Sequence, residues 1–73
     1  MDWSRCPDAE SRPGYVSGAW CVKGTRVQAD AIVENFDDGY SAEEIVDEIF
    51  EGVPLDRVRR IIAFARPNLA RSA

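Results

Sequence analysis

Three runs of apolar residues at helical spacing lie between residues 29 and 65, and they limit this chain to a small helical unit. Ala29, Ile32, Val33 and Phe36 fall at i, i+3, i+4 and i+7, which gathers four apolar side chains on one helical face. Asp30, Glu34 and Asp37 are left on the rest of that surface. Ala42, Ile45, Val46, Ile49 and Phe50 repeat the pattern, and Leu55, Val58, Ile61, Ile62 and Ala65 repeat it again. Punctuation agrees with three separate helices. Gly39 suits a left-handed C-cap, and Ser41-Ala42-Glu43-Glu44 spells a capping box in which Ser41 and Glu44 bond each other's backbone amides. Tyr40 and Ile45 stand at the positions of a hydrophobic staple. The second helix is expected to close near Glu51-Gly52. Pro54 presets the backbone angle of a helix start, Asp56 favours the first turn, and Pro67 disfavours helix at Arg66.

The first 27 residues lack that period. They hold three Gly, two Pro and the aromatics Trp3, Tyr15 and Trp20, with apolar positions around Tyr15-Val16 and Trp20-Cys21-Val22. Two short strands joined at Ser17-Gly18 are expected. Such a pair is marginal in water by itself, so this arm must pack on the helices or pair with a second copy. Pairing of arms places Trp3, Tyr15, Val16, Trp20 and Val22 at a homodimer seam, the alternative being intramolecular packing on the first helix. At Gly24-Thr25-Arg26 the arm meets the helices. Glycine serves a tight turn, threonine the helix entry, and arginine a clamp onto a carboxylate or carbonyl, so these three read as a structural junction.

The 73 residues make one domain: a β-rich arm over 1–27, a three-helix unit over 28–66 and a frayed tail over 67–73. A chain of this size buries only about 60% of its unfolded surface, so a partner is expected. No apolar run is long enough to cross a membrane, and the first residues lack a signal peptide's basic and apolar regions, so a cytoplasmic location is expected.

Cys6 and Cys21, with no histidine and no Cys-x-x-Cys, provide too few soft ligands for a closed zinc site. They read as buried free thiols. The absent histidine also removes the usual general base, so no enzyme, no cofactor and no small-molecule substrate is expected.

The net charge of −4 divides sharply. Residues 29–51 carry nine acidic groups and no basic one, whereas 54–73 carry five arginines against Asp56 alone. The last two helices, with a short Gly-containing turn and an Arg-rich second member, have a helix-turn-helix layout, which makes Arg57, Arg59 and Arg60 candidates for DNA phosphate contact. The plain alternative is a solvated face whose arginines pair with the acidic second helix. For the acidic block, the functional reading is nucleic-acid mimicry over a nuclease cleft, and its alternative is an ordinary solvated surface.

Gly18-Ala19-Trp20-Cys21-Val22-Lys23-Gly24-Thr25-Arg26-Val27, followed by the helices at Ala29, Ser41 and Val58, resembles the bacterial domain-of-unknown-function family number 433. Trp20, Glu51 before Gly52, and Pro54 depart from that family's commoner pattern. The resemblance implies a mainly α fold, a three-helix homeodomain-like bundle containing a helix-turn-helix with a short N-terminal β arm. It also implies a dimerising, antitoxin-like protein of a type II toxin-antitoxin system, which neutralises a PIN-like ribonuclease toxin and binds its own operator DNA. Without that resemblance, the residues fit a stand-alone DNA-binding regulator or an interaction module that binds no DNA.

Overall fold

A computed structural model of the chain describes residues 2–14 and 16–68. Three helical segments and a two-stranded antiparallel sheet share one core: β1 (Ala9–Glu10), β2 (Cys21–Val22), α1 (Ala29–Asp37), α2 (Ala42–Glu44) with its continuation Ile45–Ile49, and α3 (Leu55–Ala65). The mainly α reading with a β arm therefore holds.

α1 begins and ends where its sequence dictates. Ala29, Ile32 and Val33 are buried, and Phe36 packs half-buried against the same core. At its end the Gly39 amide donates to the Phe36 carbonyl at 3.0 Å and the Tyr40 amide to the Asn35 carbonyl at 3.1 Å. That reciprocal pair is a Schellman closure, and it needs the left-handed φ of 108° that Gly39 supplies. The capping box of α2 also forms, with the Glu44 amide donating to Ser41 Oγ at 3.1 Å and the Ser41 amide to Glu44 Oε1 at 2.9 Å. Tyr40 is exposed while Ile45 is fully buried.

The second helix does not continue as an α-helix to Phe50. Ile45–Ile49 widens into a π-helical turn, closed by the Phe50 amide on the Ile45 carbonyl at 2.8 Å. The apolar pattern alone could not show this, because bonds to the fourth and to the fifth preceding residue both keep Ile45, Ile49 and Phe50 near one face. In α3, Val58, Ile61, Ile62 and Ala65 are buried, and Pro54 sits one position before the helix as its N-cap.

The arm differs from expectation in one strand. β2 lies where Trp20-Cys21-Val22 placed it, but its partner is Ala9–Glu10, with Ala9 opposite Val22 and Glu10 opposite Cys21. Val16–Gly18 is a 3-10 turn. Gly14, Val16, Ser17 and Gly18 all have positive φ, which turns the chain back instead of extending it. Ser11 Oγ donates to the Gly18 carbonyl at 2.6 Å and ties the two ends of this loop.

Residues before β1 belong to the core as fully as the helices do. Trp3, in a short 3-10 turn Trp3–Arg5, is 2% exposed and stacks on Phe64 of α3 with ring centroids 5.6 Å apart. Its Nε1–H donates to Asp30 Oδ1 at 2.8 Å. One side chain thus joins the N-terminal segment to α1 and α3.

Candidate functional site

The surface with chemical potential is the outer face of α3 and the groove between α3 and α2, because the candidate arginines stand there. Phe36, Ala42, Ile62 and Ala63 line the apolar part of a groove of about 590 Å³, and Ser41, Glu43, Arg59 and Arg60 line its polar part. Every arginine of α3 is in an ion pair. Arg59 Nη2 donates to Glu43 of α2. This contact lowers the Glu43 carboxyl below the ordinary range and raises the Arg59 guanidinium above its own.

Arg57 and Arg60 do not pair with the acidic second helix. Both turn to Asp8, which precedes β1: Arg57 Nη1 donates to Oδ1 at 3.1 Å and Arg60 Nε to Oδ2 at 2.8 Å. Asp8 is 5% exposed and is the buried charged residue among those described. Its place is fixed by the backbone, since the Lys23 amide donates to the Asp8 carbonyl at 2.8 Å and so extends the strand pairing by one residue. The hydrogen bond from Arg60 holds that guanidinium above its ordinary pKa. Beyond α3, Arg66 makes a fork on Asp37 at the end of α1, with Nε to Oδ1 at 3.2 Å and Nη2 to Oδ2 at 2.8 Å.

The junction residues are used structurally. Val22 to Thr25 is a β-turn in which the Thr25 amide donates to the Val22 carbonyl at 2.9 Å, with Gly24 at φ 82° in its third position. That angle belongs to a type II turn, and the Gly24 amide donates to Glu10 Oε2 at 2.8 Å. Thr25 Oγ1 donates to the Val22 carbonyl at 2.9 Å and accepts from the Val27 amide at 3.1 Å. Arg26 is exposed. This closed turn sets the direction in which the chain enters α1.

The arm residues expected at a dimer seam are divided by the fold. Trp3 and Val22 are buried within the chain, at 2% and 0% exposure, which is the intramolecular packing weighed as the alternative to a seam. Both belong to the one core cluster that they share with Ile32 of α1, Ile45 of the α2 continuation and Ile61 of α3. Trp20 packs half-buried against that core, and Val16 is half-buried in the loop turn. Tyr15 lies outside the described residues. Cys6 and Cys21 are both buried free thiols, and burial, with the nearby Glu10 charge, pushes the Cys21 thiol up. No group of side chains suited to hold a metal ion exists among the described residues.

Sequence reasoning missed Asp8. Its partners are 49 and 52 positions away, and nothing around it in the chain marks it as buried. The one available signal was the pair of arginines at i and i+3, which share a helix face and need an anion between them.

With the turn at Gly24-Thr25 and the three helices in place, a match to a family model decides the relationship. Residues 10–65 match the family described as protein of unknown function, DUF433. The chain belongs to the DUF433 family. Neither a curated protein nor a solved structure matches it. The DUF433 match starts at Glu10, so Trp3, Cys6 and Asp8 lie ahead of the matched region while contributing to its core and to the arginine face. No helix among the described residues is long and apolar enough to cross a membrane.

Proposed function

We propose that this DUF433 protein is a non-enzymatic, antitoxin-like binding protein that holds a basic protein partner, a PIN-like ribonuclease toxin, in the cytoplasm. The observation that carries this reading is a charge asymmetry. Arg57, Arg59, Arg60 and Arg66 are all ion-paired, whereas Glu34, Asp38, Asp47, Glu48 and Glu51 are exposed and make no ion pair among the described residues. The uncompensated charge is therefore negative. It favours a basic surface, such as a nuclease cleft that otherwise binds RNA, over a nucleic-acid duplex. Homodimerisation, with Trp20 and Val16 near the contact, would double the acidic surface shown to such a partner.

Co-expression with the neighbouring gene product tests the reading by pull-down and by rescue of growth. Recovery of a complex and restored growth are expected. Charge reversal at Asp47, Glu48 and Glu51 should weaken both, and a neighbour that is neither toxic nor retained by the protein would sink the proposal.

A second reading is a stand-alone regulator in which α2 and α3 form a homeodomain-like helix-turn-helix. It is favoured by the exposure of Arg59 and Arg60, whose side chains stay 55% and 56% accessible in spite of their ion pairs. Titration of upstream DNA at several salt concentrations separates it from an interaction module that binds no DNA.

A further inference from the structure

We propose that Arg57 and Arg60 form a site for a phosphodiester oxyanion that the Asp8 carboxylate occupies in the free protein, so that Asp8 withholds α3 from nucleic acid until a backbone phosphate replaces it. The inference rests on the nucleic-acid reading and adds what holds that activity back.

Two guanidinium groups on adjacent turns of one helix face repel each other unless an anion lies between them. Here the anion comes from 49 and 52 positions away, ahead of the region that carries the family match. The other two arginine contacts are of a different kind. Glu43 and Asp37, the partners of Arg59 and Arg66, have side chains 51% and 40% exposed, so those pairs lie on the surface and are weak. Asp8 has a side chain only 8% exposed, while Arg57 and Arg60 are 33% and 56% exposed. The anion is thus at the floor of the site and the arginines are at its mouth. A ligand can approach them from solvent without passing through the core.

A carboxylate and a phosphodiester offer the same features to such a pair. Each carries one negative charge shared by two acceptor oxygens, and each takes charge-assisted hydrogen bonds from two guanidinium groups. Asp8 already accepts one bond on each oxygen. Its backbone is held by the Lys23 amide, so exchange needs only its side chain to rotate away, and the β1–β2 pairing stays intact. While Asp8 is bound, the arginine pair presents one net positive charge instead of two.

The substitution Asp8→Asn removes the charge and keeps the shape and one acceptor oxygen. A labelled short duplex of mixed sequence is titrated at about 50, 100 and 200 mM salt, and each neutralised phosphate should steepen the log–log salt slope by about 0.9. Asp8→Asn should bind about tenfold more tightly than the parent at the lowest salt, with a steeper slope. Adding Arg57→Gln and Arg60→Gln to Asp8→Asn should abolish that gain. If the parent binds the duplex and a folded Asp8→Asn binds it no more tightly, the occupied site is refuted while the nucleic-acid reading stands. If neither protein binds, both are refuted. Should Asp8→Asn fail to fold, the parent itself decides: the Nε resonances of Arg57 and Arg60 and the Asp8 carboxyl resonance must all move on addition of duplex. Unchanged resonances at saturating duplex would overturn the proposal.

Discussion

Replacing Trp3 by alanine tests whether the segment ahead of the family-matched region belongs to the folded unit. Trp3 is 2% exposed, stacks on Phe64 and donates to Asp30. Truncating a buried tryptophan to alanine costs about 3–5 kcal/mol through lost burial and the cavity left behind. The stack contributes about 0.5–1.5 kcal/mol of that loss beyond the area term. A chain of this length has a total stability of roughly 4–11 kcal/mol at about 0.05–0.15 kcal/mol per residue. Trp3→Ala should therefore remove about a quarter of the stability at least, and it leaves a protein near its unfolding threshold at the weaker end of that range.

Circular dichroism is the suitable probe, since the substitution removes one of the two tryptophans. With a shift of about 4–8 °C per kcal/mol for a domain of this size, Tm should fall by about 12 °C or more. The urea midpoint should fall by about 2 M or more at a slope of about 1–1.5 kcal/mol/M. Trp3→Phe keeps a ring against Phe64 but loses the Nε1–H bond to the exposed Asp30 and part of the buried indole, so it should cost about 1–3 kcal/mol, less than Trp3→Ala. The ordering of these two variants carries the argument. A Trp3→Ala protein melting within about 5 °C of the parent would mean that residues 2–8 are not part of the cooperative core, and the Asp8 site would lose its support with them.

Gly24→Ala meets open space, because a Cβ there finds nothing within 4 Å, so its cost comes only from the left-handed φ of 82° and should be about 1–2 kcal/mol by urea titration. Ser41→Ala removes one half of the capping box and should cost about 1 kcal/mol in the same assay, whereas Ser41→Asp should preserve the cap. The Cys21 thiol has its pKa raised by burial, so the stability it contributes is fully present below the ordinary thiol pKa and is lost as pH rises through the higher folded value. Native protein should accordingly alkylate at Cys21 far more slowly than urea-unfolded protein at mildly alkaline pH, and equal rates by mass spectrometry would contradict its burial. For Glu43 the sign is opposite, because its carboxyl is lowered by Arg59: the contribution is present above the ordinary carboxylate pKa and is lost as pH falls through the folded one. A melt series from neutral to acid pH should therefore show a smaller decline in Arg59→Gln than in the parent.

The helices were legible because their signals are local. Ala29, Ile32 and Val33 announce a face by spacing alone, and Ser41 with Glu44 announces a cap within four residues. The turn at Gly24 was legible for the same reason, since glycine and threonine act on backbone groups two or three positions away. Elements defined by distant partners were not legible. Ala9–Glu10 has no strand-like alternation of its own and is a strand only because Cys21–Val22 lies beside it. Val16 carries strand propensity, yet the positive φ values at Gly14, Val16, Ser17 and Gly18 turn the loop there. The arginines of α3 were found by composition, but their partners follow from tertiary packing, which composition does not encode.

That division bears on how the charge of this chain should be read. Along the sequence the third helix looks like a basic end facing an acidic middle. In the fold Arg57, Arg59 and Arg60 of α3 and Arg66 just beyond it are met by three carboxylates, Asp8 ahead of β1, Glu43 of α2 and Asp37 at the end of α1. The basic end is therefore neutralised from several sides, and a partner sees the residual acidity of α1 and α2 first. These carboxylates differ in how readily they yield: Glu43 and Asp37 are exposed and give way to salt, whereas Asp8 is screened from solvent and does not. Raising ionic strength should consequently release Arg59 and Arg66 while leaving Arg57 and Arg60 occupied. A ligand that competes for both guanidinium groups at once is what the proposed site requires, and Asp8 is the residue it would have to displace.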